Sequence, residues 1–491
     1  MAFSATASAA VINVPSAGNE TIQQAINNAT AGDTILVNAT AYNVQGTTET
    51  VIVNKSDIII RSVNGRAVID ANGADDHVFN ITDQTNVTLQ GFEIRDAHGT
   101  NQDVAGIYMY NASECNISDN VVTNISATGD YDAYGIWIEE TENVNSSDTT
   151  ISDILGNDFA VGIYMDNASD CNISDNVVTN ISAIGDRNFA CGLYLESSNN
   201  NTFDPTVIED INGSYAFGVF FMFSNSTSFT DTTIRNVTGF LATGISFGIL
   251  DPTGGVLVPG FSNDNNFTDT MIRNVKGNMT AGISLIASNS NTFDPTEIED
   301  VNGGYTAAGV YFNYYSNYND FSATKVHNIS SSLQPENSFG FYLMESSSNN
   351  VTDGEIFNCA RGTRIDSGRY NTIERNIIRD NFDTGVLLDR DAIDTEIHTN
   401  CFYNNSPQAM DNGTGNDWTG NYWSDYPVEG GTYNISGAIG SKDSNTLGEC
   451  PLGQEPPAPT QVPALTPIGM LALVGLLSVV LAMSIKIRKR K

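Results

Sequence analysis

The stretch Ile107–Asp130, IYMYNASECNISDNVVTNISATGD, decides the fold, because it returns almost unchanged at Ile163–Asp186 as IYMDNASDCNISDNVVTNISAIGD. A second pair repeats in the same way, NTFDPTVIEDING at Asn201–Gly213 and NTFDPTEIEDVNG at Asn291–Gly303. Internal repetition is the signature of architectures in which stacked units bury a shared core. The sequence therefore predicts a solenoid.

A finer period lies beneath these repeats and sets the fold class. A glycine before a short alternating triplet recurs at Gly106, Gly135, Gly162, Gly192, Gly218, Gly244, Gly282, Gly309, Gly340, Gly362 and Gly385. The intervening runs alternate as strands do and are too short for helices. Strands this short bury a face only by stacking in parallel on their copies. We predict an all-β, right-handed parallel β-helix of about thirteen coils spaced at ~4.8 Å; propeller blades need about 40 residues each, which excludes a propeller.

The two ends of the solenoid carry capping signals. Asn19–Asn28 places Ile22, Ala25 and Ile26 on one helical face after Asn19 as the cap, which predicts a short N-terminal capping helix. Two of the three tryptophans lie in Asn416–Tyr426 and are expected to close the last coil. The predicted organisation is a signal-peptide remnant (1–10), a β-helix ectodomain (11–450, with N-terminal cap 11–50, coils 51–410 and C-terminal cap 411–450), a proline-rich stalk (451–467), a transmembrane helix (468–485) and a cytoplasmic basic tail (486–491).

The last part of the chain predicts where the protein is located. Ile468–Ile485 is uncharged and apolar and is followed by a basic cluster, as in a helix that ends on the cytoplasmic side. We therefore expect a C-terminally anchored protein with its body on the cell surface, and the N-x-S/T sequons fit a glycosylated exterior. The net charge of -36 repels phosphate backbones, which excludes nucleic acid as a partner.

Alternation in the coils predicts which side chains face solvent. If the first and third residues after each glycine point inward, the second and fourth point outward. The second positions then form an exposed aromatic ladder, Tyr108, Trp137, Tyr164, Tyr194 and Phe220, and three fourth positions are carboxylates, Glu139, Asp166 and Glu196. Aromatic faces beside carboxylates suit a sugar chain, so we predict that glycans or envelope components bind here. Two alternatives stay open: simple sheet packing, and a carboxylate row that a cation such as Ca²⁺ bridges; no other cofactor is expected.

Three segments resemble a known family. Thr21–Val37 (TIQQAINNATAGDTILV), the glycine-led coils and Gly420–Tyr426 (GNYWSDY) are similar to NosD-type β-helix proteins, which overlap the carbohydrate-binding and sugar-hydrolysis β-helix domains. The resemblance covers roughly residues 11–450 and implies a parallel β-helix, with copper maturation as one possible role. The C-terminal tail resembles archaeal sorting signals. Pro427–Gly448 lacks the aspartate run that usually follows the WSDY element.

Catalysis is the main alternative to binding, as a polysaccharide lyase or glycoside hydrolase on the same scaffold. Such enzymes need carboxylates, or carboxylates with a cation, on one face. Arg364, Asp366 and Asp389 are the strongest candidates, since they share one face of adjacent coils; Asp75–Asp76 and Asp96 with His98 are weaker. Six arginines between 361 and 390 lie among five acids, so mutual ion pairing is the competing interpretation.

Metal-binding and disulfide signals are sparse. The four histidines, at 77, 98, 327 and 398, are scattered, and Met109 and Met165 fall on inward positions as core residues, so no metal site is predicted. Cys115 and Cys171 lie two coils apart, too far to bond. We predict that Cys401 and Cys450 form a disulfide that fixes the C-terminal cap. Asp251–Gly260 is expected to be a loop extruded from one coil.

Overall fold

Short strands stacked in parallel build nearly all of the described structure. The computed structural model describes residues 9–185, 188–249 and 258–453. These residues form a right-handed parallel β-helix of about 14 turns, which confirms the all-β solenoid predicted from the repeats. Each coil contributes a short strand to one sheet and two longer strands to a second, wider sheet.

The first sheet has one short strand from each coil, paired in parallel and in register. Its strands are Val11–Val14, Thr34–Asn38, Ile58–Val63, Val87–Gln90, Asn116–Ser118, Asn145–Ser147, Asn172–Ser174, Thr202–Phe203, Ser228–Thr230, Asn266–Thr268, Thr292–Phe293, Asp320–Ser322, Asn350–Thr352, Thr372–Glu374 and Glu396–His398.

The second sheet contains two parallel ladders, one before and one after the bend that the coil glycines mark. The strands before the bend are Ala67–Ala74, Phe92–Gly99, Val121–Ala127, Thr150–Gly156, Asn176–Ala183, Thr206–Asn212, Thr296–Gly303, Lys325–Ser331, Glu355–Phe357, Ile377–Arg379, Cys401–Tyr403 and Tyr422–Trp423. The strands around and after the bend are Val51–Val53, Phe79–Thr82, Val104–Tyr110, Ala133–Glu139, Phe159–Asp166, Phe189–Glu196, Tyr215–Met222, Thr306–Asn313, Ser338–Leu343, Arg361–Arg369, Thr384–Ile393 and Ala409–Asp411. Two long strands, Thr232–Ile249 and Thr270–Ile286, run through both ladders.

Three short pairs and turns complete the secondary structure. Val258–Pro259 pairs antiparallel with the end of Thr232–Ile249. Residues 251–257 of the predicted loop lie outside the described residues. Tyr433–Asn434 and Lys442–Asp443 form an antiparallel pair near the C-terminal cap, and Pro335–Asn337 is a single 3₁₀ turn.

Identical side chains stack along the interior and fix the register of the coils. Five phenylalanines on successive coils lie with ring centroids 4.4–4.9 Å apart and planes within 11° of parallel: Phe203, Phe229, Phe267, Phe293 and Phe321. That spacing equals the separation of hydrogen-bonded strands, so each ring contacts its copy above and below. A one-residue slip in register would turn the whole row outward.

A buried asparagine ladder performs the same task at a turn. The side-chain N–H group of each asparagine donates to the side-chain oxygen of the asparagine on the next coil at 3.0–3.3 Å. The ladder consists of Asn265, Asn291, Asn319, Asn349 and Asn371. Buried amides need such partners, because an unpaired one costs the full desolvation of the group. The asparagine-rich composition therefore reflects the turns of the coils.

The coil glycines lie where the strand bends. A Cβ on Gly135 would overlap with Ile151 Cγ2 and lie 2.5 Å from the carbonyl oxygen of Gly162, and the other coil glycines are enclosed in the same way. Gly135 and Ile136 thus face the interior one after the other, which interrupts the usual alternation. Only glycine leaves room here for the next coil.

The N-terminal helix spans Ile22–Asn28 and buries Ile22, Ala25 and Ile26, as predicted. Its cap is Thr21 rather than the predicted Asn19: the Thr21 hydroxyl accepts from the Gln24 amide at 3.2 Å, and Gln24 completes a capping box. The strand Val11–Val14 already pairs with Thr34–Asn38, so coil stacking begins before this helix. A second helix, Ala39–Gln45, was not predicted, because its seven residues carry no clear apolar period.

Aromatic residues close the other end. Trp418 and Trp423 are buried, and their indole N–H groups donate to Asp411 and Asp443 at 2.9 and 3.0 Å. Cys401 and Cys450, the pair predicted to bond, form a disulfide with Cα atoms 5.6 Å apart. Cys115 and Cys171 are buried and free, as the stacking distance predicted.

Several predicted segments lie outside the described residues. They are residues 1–8 of the signal-peptide remnant and residues 454–491, which hold most of the stalk, the transmembrane helix and the basic tail. In the ranges 9–185, 188–249 and 258–453, no helix has the length and apolar character needed to cross a bilayer.

The phenylalanine row gives a direct test of coil stacking. Phe267→Ala removes a fully buried ring that contacts a ring on each side, and we expect it to lower the free energy of unfolding by about 3–5 kcal/mol. Phe240→Ala is the control, since Phe240 is 45% exposed and should cost less than about 0.5 kcal/mol. Chemical denaturation of both variants measures the difference; equal losses would contradict the stacked interior.

Candidate functional site

A concave groove follows the bend on the outer surface of the coils. Since the glycine and the next residue both face inward, the side chains one position before and two positions after each glycine face outward and converge. The rings of Tyr134 and Trp137 lie 4.7 Å apart across the bend, and those of Phe217 and Phe220 lie 5.0 Å apart. We call this surface, from His77 and Tyr108 to Tyr342, the groove. Its side chains form a hydrophobic cluster separate from the interior core.

The predicted aromatic ladder exists and lies in the groove. Tyr108, Trp137, Tyr164, Tyr194 and Phe220 pair in register on successive strands. Neighbouring ring centroids are 4.8–6.1 Å apart. The inward positions are buried as predicted, including Met109 and Met165.

Only part of the ladder is accessible, which corrects the expectation that all five rings are exposed. Tyr108, Trp137 and Tyr164 are partly exposed, but Tyr194 and Phe220 expose only 7% and 2% of their surface. Phe189 and Phe217, which precede their glycines, cover these two rings at centroid distances of 5.0–5.8 Å. The sequence prediction considered only the residues after each glycine. The signal that it missed was an aromatic residue one or three positions before the glycine, as in Phe217 before Gly218 and Phe189 before Gly192.

The three predicted carboxylates border the accessible rings. Glu139, Asp166 and Glu196 are directly paired on successive strands. The Tyr108 hydroxyl donates to Glu139 at 2.9 Å and the Tyr164 hydroxyl donates to Glu196 at 2.8 Å, which fixes the orientation of both carboxylates. Burial, together with these carboxylates, raises the pKa of both tyrosines, so both hydroxyls stay protonated donors.

Asp166 lies between Glu139 and Glu196 and is repelled by the charge of each. Burial is the main cause that raises its pKa to about 6, and the charges of Glu196 and Glu139 add to it. The row is therefore strongly electronegative at neutral pH, and Asp166 takes up a proton in weak acid.

A second group of titratable residues, missed by sequence analysis, lies at the N-terminal end of the groove. Burial first, and then the charge of Asp103, raise the pKa of Asp132 to about 6. The Asp103 carboxylate accepts from the Asp132 backbone amide at 2.9 Å, and the Tyr134 hydroxyl donates to Asp132 at 3.2 Å. His77 stacks on Tyr108 at 4.4 Å.

The tautomer of His77 is fixed by one contact. Its Nδ1 lies 3.0 Å from the backbone amide of Ala105 and accepts from it, so the neutral ring carries its proton on Nε2. Burial lowers the pKa of His77 despite the charges of Asp76 and Asp103. Only its position in the coil could have identified His77 from the sequence. It lies one coil before Ala105, and Ala105 pairs with Tyr134 on the following coil.

The predicted catalytic candidates Arg364, Asp366 and Asp389 do meet, as an ion-pair network. The Arg364 guanidinium contacts Asp366 and lies 3.0 Å from Asp389, and the Tyr342 hydroxyl donates to Asp366 at 2.5 Å. Burial and the neighbouring Asp366 raise the pKa of Asp389. The guanidinium is thus held by two carboxylates.

Three more arginines of this zone form ion pairs. Arg361 lies 2.7 Å from Asp383, Arg375 lies 2.7 Å from Asp353, and Arg379 lies 2.7 Å from Glu355. The ion-pairing interpretation is therefore confirmed for Arg361, Arg364, Arg375 and Arg379.

The two weaker catalytic candidates form hydrogen bonds to the adjacent coil. Asp75 accepts from the Thr100 backbone amide at 2.9 Å and from the Asn101 side chain at 2.6 Å, and these bonds lower its pKa to about 2. Asp96 contacts Arg95 at 3.1 Å, while His98 pairs with the Ser126 hydroxyl at 2.8 Å. Asp96 and His98 both line a cavity of about 310 Å³, whereas the Asp75 carboxylate is occupied by its contacts with Thr100 and Asn101.

The donor set does not fit a copper site. Copper needs several convergent nitrogen or sulfur ligands. His327 instead lies 3.2 Å from Glu297 and stacks on Phe357, and His398 lies 3.6 Å from Glu396. Among the described residues no group of three or more His, Cys, Asp or Glu side chains could hold a metal ion.

The pKa of Asp166 predicts how stability depends on pH. Its pKa of about 6 in the folded chain exceeds the unfolded value of about 3.9, so ionisation destabilises the fold as pH rises from 4 to 6. We expect Asp166→Asn to stabilise the protein by about 1 kcal/mol at pH 7.5, after allowance for solvent screening, and to have almost no effect at pH 4. Denaturation midpoints of both proteins across pH 4–8 test this; a gain that is equal at both ends would exclude titration as the cause.

Comparison with known proteins finds a family model that matches part of the chain. Residues 249–428 match the model of the family described as "Periplasmic copper-binding protein (NosD)". No curated protein matches this sequence.

Solved structures that resemble the chain are distant. The periplasmic alginate epimerase AlgG is 10% identical, with 75% of this chain and 82% of that chain covered and a TM-score of 0.40. The A-module of the Azotobacter vinelandii mannuronan C-5 epimerase AlgE4 is 12% identical, with 86% and 95% covered and a TM-score of 0.35. The Dettilon tailspike protein is 10% identical, with 76% of this chain covered and a TM-score of 0.39. This chain spans only 61% of the length of the tailspike. Similarity at this level does not transfer function.

The family match confirms the resemblance seen in the sequence for the segment that it covers. It begins at the end of the strand Thr232–Ile249 and ends just past the WSDY element. The chain is thus a parallel β-helix protein, and its residues 249–428 match the NosD family model.

Proposed function

We propose that the chain is a glycan-binding β-helix protein and that the N-terminal part of the groove is its binding surface. One observation carries the proposal: Tyr108, Trp137 and Tyr164 present partly exposed rings on three successive coils, beside carboxylates in the same register. A pyranose has apolar faces and a rim of hydroxyls. Rings that stack on the faces and carboxylates that accept from the hydroxyls match both features.

The hydrogen bonds in the groove support this role. Glu139 and Glu196 each accept one tyrosine hydroxyl, and a carboxylate has acceptor sites on both oxygens. Each side chain is thus held in place while it retains acceptor capacity for a sugar hydroxyl. Preorganised contacts of this kind reduce the entropy lost on binding.

The proposal includes a location outside the cytoplasm. The Cys401–Cys450 disulfide supports it, since such bonds persist in oxidising compartments. The apolar segment 468–485 with its basic tail supports a C-terminal membrane anchor that leaves the β-helix on the cell surface. Neighbouring cells or envelope polysaccharides would then be within reach of the groove.

Removal of two rings tests glycan binding. We expect Trp137→Ala with Tyr164→Ala to weaken binding to glycans on an array by at least tenfold, because each stacked ring contributes about 1 kcal/mol or more. Calorimetry with the strongest array hit gives the affinity. Tyr315→Ala with Tyr318→Ala is the matched control, since both tyrosines are 67% exposed on a turn away from the groove.

Two outcomes would contradict the proposal. Wild-type protein that binds no glycan on the array would exclude this function. Equal losses in the groove variant and the turn variant would show that binding occurs at another surface.

A second candidate function, glycoside hydrolysis, is favoured by the pair Asp103 and Asp132. The pKa of Asp132 is raised, and the charge of the neighbouring Asp103 contributes to that rise. A protonated carboxyl beside an ionised one is typical of a general acid and its partner base. In that reaction Asp132 would protonate the oxygen of the leaving sugar, and Asp103 would take the proton of an attacking water. The pair lies beside Tyr134 and Trp137, so a chain bound in the groove would pass it.

The hydrolysis candidate has its own test. We expect Asp132→Asn to reduce the release of reducing ends from a bound glycan at least hundredfold, and wild-type activity to fall as pH rises above about 6, where Asp132 loses its proton. Asp153→Asn, in the neighbouring ladder, is the control. Binding without any release of reducing ends would exclude hydrolysis and leave the binding function intact.

A further inference from the structure

The aromatic ladder is interrupted in the middle of the groove. The second position after the glycine is Ser246 and then Ser284 on two successive coils, whereas Phe220 occupies it on the coil before and Tyr311 on the coil after. Two missing rings open a gap of about 10 Å along the groove. A cavity of about 180 Å³ fills this gap. We call it the notch.

The notch is neutral, whereas the carboxylate row near Tyr164 and the ion pairs of Arg364 make other parts of the groove charged. Its lining includes no Asp, Glu, Lys, Arg or His. The fourth positions after the glycines of these two coils are Gly248 and Ile286, so the carboxylate row has ended here. A charged ligand group would lose its hydration in the notch without gaining a partner, which is costly.

The lining provides both apolar and hydroxyl contacts. Leu241, Met279 and Ala281 form apolar walls. The Ser246 hydroxyl donates to the Gly248 carbonyl at 2.7 Å, which leaves its lone pairs to accept. The Tyr311 hydroxyl accepts from the Asn313 amide at 2.9 Å, which leaves its own proton to donate. Burial raises the pKa of Tyr311 to about 12, so that proton is retained at neutral pH.

We propose that the notch selects a neutral sugar carrying an acetamido group, which would make N-acetylated glycans the ligand class of the groove. An acetamido group has one N–H donor, one carbonyl acceptor and an apolar methyl group, and the notch offers a counterpart for each. The cavity is large enough, because an engineered cavity of about 150 Å³ holds a benzene ring. This inference rests on the proposed glycan-binding function.

The test compares two probes that differ mainly in the acetamido group. Calorimetry of the full-length chain with N,N′,N″-triacetylchitotriose and with cellotriose is expected to show at least tenfold tighter binding of the acetylated trimer. Trigalacturonate, a charged trimer, is expected to bind no better than cellotriose.

A filled notch provides the matching variant. Ser284→Tyr adds a ring in register with Tyr311 and should occupy the cavity, lowering the affinity for the acetylated trimer at least tenfold. Ser246→Phe, in register with Phe220, should do the same if the first variant folds poorly. Thr233→Tyr adds a ring on the outer face of the neighbouring ladder and should leave the affinity unchanged.

The outcomes separate this inference from the proposed function. Equal affinity for the acetylated trimer and cellotriose, or undiminished binding in both filled variants, would overturn the notch as a selective site. If other array glycans still bound and Trp137→Ala weakened them, the glycan-binding function would survive that result. A complete lack of glycan binding would overturn both.

Discussion

The close stacking of coil on coil at the bend is the constraint on which the rest of the structure depends. Each coil glycine lies against the backbone of the next coil, and Gly135 has no room for a Cβ because the Gly162 carbonyl is so near. Two consecutive residues therefore face inward, and the strand bends. The outer surface becomes concave along the same line, so one steric requirement produces both the tight interior and the groove.

Side-chain chemistry then divides this continuous groove into zones. Acids and His77 occupy its N-terminal end, and the accessible rings with their carboxylates follow. In the next section Tyr194 and Phe220 are buried in the aromatic cluster. The neutral notch comes next, and the ion pairs of Arg364 end the series. Because the backbone repeats while the side chains change, a ligand that lies along the groove would meet a different chemistry on each coil. This is how a repetitive scaffold gains selectivity.

The solenoid could be predicted because the 2-residue alternation and the glycine period are both visible in the amino-acid sequence. The sequence also predicted which side chains face outward after each glycine, and the Cys401–Cys450 pair. It did not predict that Phe189 and Phe217 cover the ladder, since the bend reverses the alternation before the glycine and only coordinates reveal the convergence. Asp132 and His77 were missed for the same reason: their significance comes from neighbours about 25 to 30 residues away along the chain.

The indole N–H signals of the three tryptophans test the central claim most directly. In the chain labelled with ¹⁵N-tryptophan, Trp137→Phe assigns the signal of the groove, while Trp418 and Trp423 report on the buried cap. Titration with the glycan that binds most tightly on the array should move the Trp137 signal and leave the two cap signals unchanged. A saturating titration in which the Trp137 signal stays still would show that the groove is not the binding surface.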